Sequence, residues 1–185
     1  PTLTYSISPS LPSGLSINSA TGAITGTPAL SSVSANYTVT ATDANGATSS
    51  KTFALAVSAA LSTTLAISSK TLTASVAATS FTPVTVSGGT SPITLAISPS
   101  LPSGLSMNAS TGAITGTPAS SSSATNYTVT ATDANGATSS KTFTLTVSTA
   151  LSTTIAISSK TLTASVAATS FTPVTSSGGT PTLTY

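Results

Sequence analysis

The sequence contains no cysteine, no histidine and no tryptophan, and charged residues make up only 3% of its 185 positions. The absence of cysteine excludes disulfide bonds and thiolate chemistry. The net charge of +2 comes from four lysines and two aspartates, and the lysines are single and far apart. Nucleic-acid binding needs clustered basic side chains that replace the counterions of the phosphates. We therefore expect no nucleic-acid partner.

Groups that support catalysis are also scarce. Serine and threonine make up about two in five residues, but a hydroxyl becomes a nucleophile only with a neighbouring base. The chain has no histidine, glutamate or arginine, and with so many serines the proximity of one to a lysine is expected by chance. We expect neither catalytic residues nor a bound cofactor, and we interpret the protein as a non-enzyme.

Long hydrophobic runs are missing as well. No apolar segment approaches the roughly 20 residues that span a bilayer. The residues that follow Pro1 do not resemble a charged start with an apolar signal segment. We expect no membrane-spanning segment in this sequence, and we interpret it as an internal segment of a longer protein.

The sequence repeats itself with a period of 90 residues. The segment LPSGLS begins at Leu11 and again at Leu101, and NYTVTATDANGATSSKTF begins at Asn36 and again at Asn126. The letters PTLTY occur at both ends, from Pro1 and again from residue 181. Self-similarity at a fixed period is typical of an array of one folding unit. The repeat therefore favours a fibre or stalk.

The abundant hydroxyl residues have two interpretations: a disordered, O-glycosylated stalk, or β-strands that carry threonine on their outer face. Apolar residues alternate with threonine over residues 126–133 and 141–147, and a period of two is typical of a half-buried strand. The alternation favours strands. They are predicted near residues 65–68, 80–87, 93–98, 113–117, 127–133 and 139–148, with a further short strand at 71–75.

The segment from Asp133 to Gly136 joins two alternating runs, which predicts a hairpin turn with Asn135 and Gly136 in positive-φ conformations. We therefore predict an all-β fold of tandem antiparallel β-sandwich repeats, each 90 residues long. The predicted domains are the C-terminal part of one repeat (1–59), a complete repeat (60–149) and the N-terminal part of the next (150–185). Two interpretations of the partial repeats remain open. Either the sequence is a window on a continuous array, or the C-terminal strands of one molecule complete the N-terminal fragment of the next.

Three motifs carry a resemblance to a known family: LPSGLS, the run N-x-x-TG-x-I-x-GTP, and the TDANG hairpin. Over the whole period the sequence resembles the immunoglobulin-like (Ig-like) domain repeated in large bacterial surface proteins, and it is similar to cadherin-like and dystroglycan-type relatives. The resemblance implies an extracellular array of Ig-like sandwiches at a cell surface or in a secreted filament, used as spacer, stalk or adhesin. Taken with the partial repeats described above, this makes neighbouring repeats or head-to-tail copies of the same chain the expected partners.

The alternative is a binding module that recognises a glycan or a partner protein, on a host or another cell surface. Such a module needs an exposed cluster of aromatic or acidic side chains on a loop, and the sequence shows none. Fold-level similarity predicts architecture far better than it predicts a ligand.

The two carboxylates are the obvious candidates for a metal site, because the cadherin-like relatives bind calcium. Each aspartate stands in a Thr-Asp-Ala-Asn-Gly segment, which gives Asp43, Asn45, Asp133 and Asn135 as candidate calcium ligands. Calcium takes six to eight oxygen ligands, whereas each repeat supplies one aspartate and no glutamate. The sequence therefore favours a structural turn over a metal site.

Three triplets match the N-glycosylation pattern, which is common by chance in a threonine-rich chain. Asn108 is expected in a loop and is the best candidate, whereas Asn36 and Asn126 are expected to begin strands. The lysines are interpreted as solvated side chains at strand edges, which discourage edge pairing; they are Lys51, Lys70, Lys141 and Lys160.

Overall fold

The computed structural model describes residues 3–180 of the chain, and every regular element among them is a β-strand. The prediction of an all-β fold is confirmed. No helix that is long and apolar enough to cross a membrane occurs among these residues. The strands are β1 (Thr4–Ser8), β2 (Leu15–Ile17), β3 (Ile24–Gly26), β4 (Ser32–Thr42), β5 (Thr48–Val57), β6 (Ser62–Leu65), β7 (Ser69–Thr73), β8 (Ala78–Phe81), β9 (Val84–Ser87), β10 (Thr94–Ser98), β11 (Leu105–Met107), β12 (Ile114–Gly116), β13 (Ser122–Thr132), β14 (Thr138–Ser148), β15 (Ser152–Ile155) and β16 (Val174–Ser177).

The chain divides into two compact units. The first extends to Ser62 and also contains two short loops, Ser87–Pro92 and Asp133–Ala137. The second contains Thr63–Val86, Ile93–Thr132 and the chain from Thr138 onward. The recurrence of PTLTY involves residues 1, 2 and 181–185, and it therefore lies partly outside the described residues.

The second unit contains a four-stranded sheet in the order β10-β13-β14-β7 and a three-stranded sheet in the order β11-β12-β8. All pairs in these sheets are antiparallel except β14 with β7, which is parallel in the register Leu145↔Lys70 and Val147↔Leu72. This pair departs from the antiparallel prediction. Alternation along a strand reports which face is buried, and it does not report the direction of the neighbouring strand.

The core of the second unit lies between these two sheets. Phe143 of β14 contacts Phe81 of β8 edge to face, with ring centroids 6.4 Å apart. The ring centroid of Tyr127 in β13 lies 5.9 Å from that of Phe143. The strand β14 buries Phe143, Leu145 and Val147, while the threonines between them stay half-exposed. The predicted period of two is therefore confirmed for this strand.

The first unit contains the sheet β1-β4-β5 and the hairpin β2-β3. The register of β4 with β5 matches that of β13 with β14, since Tyr37 faces Phe53 just as Tyr127 faces Phe143. However, the inward side chains of β5 are only half-buried, whereas their equivalents 90 positions later are buried. Among residues 3–180 no strand pairs with the outer edge of β5.

The segment after β14 forms one two-stranded sheet, β15 with β16, in the register Ile155↔Val174. These strands stand 90 positions after β6 and β9, which also form a two-stranded sheet with each other. The side chains of both strands are exposed. Residues 159–163 and 168–171, which are equivalent to β7 and β8, form no strand.

Some strand predictions were wrong in detail. The predicted strand at 80–87 is two strands, β8 and β9, and the backbone carbonyl of Pro83 between them accepts hydrogen bonds from Ala66 and Ile67. The strand predicted at 65–68 lies earlier, at Ser62–Leu65. The short strand β11 was not predicted, although its equally short partner β12 was, within the strand predicted at 113–117.

The predicted hairpin turn is confirmed, although one of its details is wrong. The backbone N–H of Gly136 donates to the carbonyl of Asp133 over 3.0 Å, and Gly136 has a φ of +82°. Asn135 does not adopt a positive φ. The Asp133 carboxylate accepts a hydrogen bond from the Asn135 N–H, which fixes the turn with glycine alone in the left-handed region.

Candidate functional site

The Asp133 carboxylate lies at the centre of a hydrogen-bonded turn in the first unit. Its Oδ1 accepts from the backbone N–H groups of Asn135 and Ala137, both at 2.9 Å. Its Oδ2 accepts from the N–H of Thr90, also at 2.9 Å. The hydrogen bond from Thr90 is the largest influence on the pKa of Asp133, which lies below its ordinary value, while burial acts in the opposite direction. The side chain is only 9% exposed.

Further hydrogen bonds extend this turn into a network. The Asn135 side-chain amide donates to Thr90 Oγ1 at 3.0 Å, and Thr90 Oγ1 donates to Ser58 Oγ at 3.1 Å. The backbone N–H of Ala134 donates to the Thr90 carbonyl at 2.9 Å. The network therefore joins Ser58, the loop around Thr90 and the Asp133 turn within one unit.

Asp43 forms the equivalent turn with fewer partners. Its Oδ1 accepts from the backbone N–H groups of Asn45 and Ala47 at 2.9 and 2.8 Å. The structure thus places the four candidate calcium ligands in two separate turns, and no three acidic, cysteine or histidine side chains cluster among residues 3–180. Backbone N–H donors on a carboxylate satisfy its charge without a cation. The preference for structural turns stays a prediction.

The candidate glycosylation residues are all exposed. Asn108 lies in a turn, where its Oδ1 accepts from the N–H groups of Ser110 and Thr111 at 2.9 and 3.0 Å. Asn36 and Asn126 lie inside the long strands β4 and β13, so the expectation that they begin strands was wrong. Whether any of the three carries a sugar stays a prediction.

Two lysines have partners that the sequence did not indicate. Lys70 lies in β7 with its Nζ 5.4 Å from the centroid of the Phe81 ring, and Lys160 stands over Phe171 at 5.5 Å in the same way. A cation over an aromatic face is a favourable contact. Lys70 and Lys160 therefore cover an aromatic ring rather than serving only as solvated edge residues.

A cavity of about 560 Å³ lies in the first unit beside β5, and all of its lining residues belong to that unit. Its apolar lining includes Leu15, Pro28, Leu55, Val57 and Leu61. Its polar lining comes from the network described above: Ser58, Thr90, Asp133 and Asn135. We call this space the β5 cavity.

The second unit shows what covers the equivalent surface there. Val147 pairs with Leu72 of β7, the N–H of Ala74 donates to the carbonyl of Ser148 at 2.9 Å, and the N–H of Ser75 donates to the carbonyl of Pro118 at 2.8 Å. The residues 90 positions earlier, Val57, Ser58 and Pro28, line the β5 cavity. Sequence reasoning missed this cavity, although alignment of the two repeats contains the signal for it.

Comparisons with solved structures found immunoglobulin-like and cadherin domains. A three-domain fragment of titin, I67–I69, is 16% identical over 80% of this chain, with a TM-score of 0.53. A C-terminal fragment of intimin, in complex with the intimin-binding domain of its translocated receptor, is 16% identical over 84% of the chain, with a TM-score of 0.47. Mouse cadherin-23 EC22–24 is 19% identical over 79%, with a TM-score of 0.41.

This chain spans about half the length of those structures, covering 56%, 55% and 52% of them. At such identity the titin likeness shows the fold alone. No match was found among curated protein sequences. The model of one family, described as "Putative Ig domain", matches residues 1–58 and again residues 56–148. Since these matches cover most of the 185 residues, the chain belongs to this Ig-like domain family.

Proposed function

We propose that the chain is a load-bearing repeat segment of an extracellular fibre, stalk or adhesin, at a cell surface or in a secreted filament, and that it is not an enzyme. The proposal includes the repeat boundaries 1–59, 60–149 and 150–185. It also includes association of copies head to tail through their partial repeats. Membership of a family of structural or binding domains supports it.

The parallel pairing of β7 with β14 is the observation that carries the mechanical role. The strand β7 lies near the start of the complete repeat and β14 at its end. Because the two strands run in the same direction, tension on the chain before β7 and after β14 pulls the strands along their length in opposite senses. All the hydrogen bonds of the pair are then loaded together in shear, from Thr144 with Ser68 to Ala74 with Ser148.

Single-molecule stretching of the full 185-residue chain tests this role. We expect one resolved unfolding event that releases the roughly 80 residues from Ser69 to Ser148, which is about 280 Å of extended chain. The first unit is the internal control, because β5 has no such partner among the described residues and should extend at lower force. Extension of the whole chain without a resolved event would contradict the load-bearing role.

The alternative function is a surface module that binds a glycan or a partner protein. The β5 cavity favours it, since ligand sites are concave and combine apolar walls with a few polar groups. The lining of this cavity contains no aromatic side chain on which a sugar ring could stack. The load-bearing role therefore remains the better supported of the two.

A further inference from the structure

We propose that the β5 cavity of one copy of this chain is filled by residues 159–175 of a second copy, which add a parallel strand to the outer edge of β5. The inference deepens the proposed head-to-tail association and rests on it, because it names the inserted segment and its register.

The two repeats differ at the outer edge of their equivalent strands, β14 and β5. In the second unit the outer edge of β14 is covered by β7, whereas β5 ends its sheet in the order β1-β4-β5. The observed register pairs Leu145 with Lys70 and Val147 with Leu72. Moved to the first unit by the repeat, this register pairs Leu55 with Lys160 and Val57 with Leu162 of the second copy.

The donor segment exposes the side chains that its equivalent buries. Leu162 is 54% exposed, whereas Leu72 is 7% exposed. Phe171 and Val174 are 38% and 46% exposed, against 7% and 2% for Phe81 and Val84. Transfer of this apolar surface out of water favours its insertion into a matching site.

The acceptor offers the matching surface. Phe53, Leu55 and Val57 are half-buried in β5, whereas the same three residue types in β14 are buried beneath β7 and β8. The β5 cavity lies where residues 72–75 cover Val147, Ser148 and Pro118 in the second unit. A peptide segment is therefore the occupant that this cavity fits.

Sequence identity makes a second copy the matching partner. Residues 159–175 repeat residues 69–85 without a change. The strand β5 differs from residues 138–147 of β14 only at two outward positions, where Ala54 and Ala56 replace threonine. Lys160 already stands over Phe171, as Lys70 stands over Phe81. The donor segment thus carries one internal contact of the filled site before it binds.

Cysteine cross-linking tests the register, since the chain has no native cysteine. The full chain with Ala56→Cys and Thr161→Cys places the two cysteines opposite each other in the proposed pair, as Thr146 lies opposite Thr71. Under oxidising conditions we expect a ladder of disulfide-linked dimers and larger species that reductant abolishes. The control pair Ala54→Cys with Thr163→Cys is displaced by four residues, about 13 Å along the strand, and should cross-link at least tenfold more slowly.

Sedimentation of point variants tests the buried contacts. The native chain should associate with rising concentration, and Leu162→Asp should weaken this association at least tenfold. Because Leu162 is exposed in the single chain, the variant should keep the native circular dichroism. Val166→Asp is the matched control. Val166 is 64% exposed, and its equivalent Val76 is still 56% exposed in the complete repeat. The proposed insertion should therefore leave Val166 largely exposed.

Three results would overturn the inference: a native chain that stays monomeric at every concentration, equal effects of Leu162→Asp and Val166→Asp, or equal rates for the two cysteine pairs. A cross-link confined to one chain would overturn it as well. The load-bearing role can still be confirmed by stretching single monomers, so failure of the association and failure of that role are distinguishable.

Discussion

Among single residues, Asp43 and Asp133 occupy equivalent positions in the repeat but have different hydrogen-bond partners. Both accept hydrogen bonds from N–H groups of their own turn, but Asp133 also accepts one from Thr90, 43 positions earlier in the chain. The Asp-Ala-Asn-Gly segment was enough to predict the turn, because the turn depends on neighbouring residues. The contact with Thr90 could not be predicted, since no local pattern encodes which loop lies beside the carboxylate.

The lowered pKa of Asp133 predicts a specific loss of stability in acid. A carboxyl group whose pKa is lower in the folded protein stabilises it above the unfolded pKa of about 3.9, and this contribution is lost as the pH falls through the folded pKa. We expect the Tm of the first unit, which contains Asp133, to be nearly constant above about pH 5 and to decline below about pH 4. Differential scanning calorimetry over this range measures it.

Asp133→Asn should lower the Tm at pH 7 and flatten the decline in acid, because its amide has no charge to lose. Asp43→Asn leaves Asp133 in place and is the matched control, which should keep the decline. An acid profile that is the same in the native chain and in Asp133→Asn would contradict the role given to this carboxylate.

At the level of strands and turns, the glycine of the LPSGLS motif is required by backbone contact. Gly104 has a φ of +90°, and a Cβ at this position would collide with the backbone carbonyl of Thr117. The N–H of Thr117 also donates to the Gly104 carbonyl at 2.9 Å. The close approach joins the entry of β11 to the exit of β12, so the motif encodes a packed turn.

A pair of alanine substitutions separates backbone strain from this collision. Gly136 has a similar φ of +82°, but nothing lies within 4 Å of a Cβ placed there. We expect Gly136→Ala to cost about 1–2 kcal/mol from the left-handed conformation alone. Gly104→Ala should cost about 1–3 kcal/mol more, as an overpacked site does. Urea denaturation measures both, and equal costs would contradict the collision.

The strands differ in how far the sequence predicts them. The long strands β13 and β14 follow from strict alternation of Tyr127, Val129 and Ala131, and of Phe143, Leu145 and Val147 with threonine. Strands of three to five residues offer few alternating positions, so the pattern locates them unevenly. The sequence predicted β10 and β12, but it missed β11 and did not divide β8 from β9. The cavity beside β5 depends on which edges are covered, and edge coverage is a property of the assembled sheets rather than of any one strand.

In the whole molecule, the two units bury the same side chains to different degrees. Phe143 is fully buried and contacts both Phe81 and Tyr127. Phe53 contacts Tyr37, with ring centroids 6.0 Å apart, and remains half-buried. Truncation of a side chain lowers the free energy of unfolding most where that side chain is best packed. Equivalent substitutions should therefore destabilise the second unit more than the first.

We therefore expect calorimetry of the dilute chain to show two transitions, with the first unit melting at the lower temperature. Phe143→Ala should reduce the free energy of unfolding of the second unit by about 3–5 kcal/mol, and Phe53→Ala should cost the first unit less than about 3 kcal/mol. A single transition that both variants lower equally would show that the units do not unfold separately.

The identity of residues 159–175 with residues 69–85 has a consequence for how partners are chosen. Side chains that are the same at every buried position give no chemical basis for preferring one donor segment over another. The choice then depends on effective concentration, which a covalent tether sets through its length and stiffness. In a polypeptide with many such repeats, proximity along the chain rather than recognition would decide which segment enters which site.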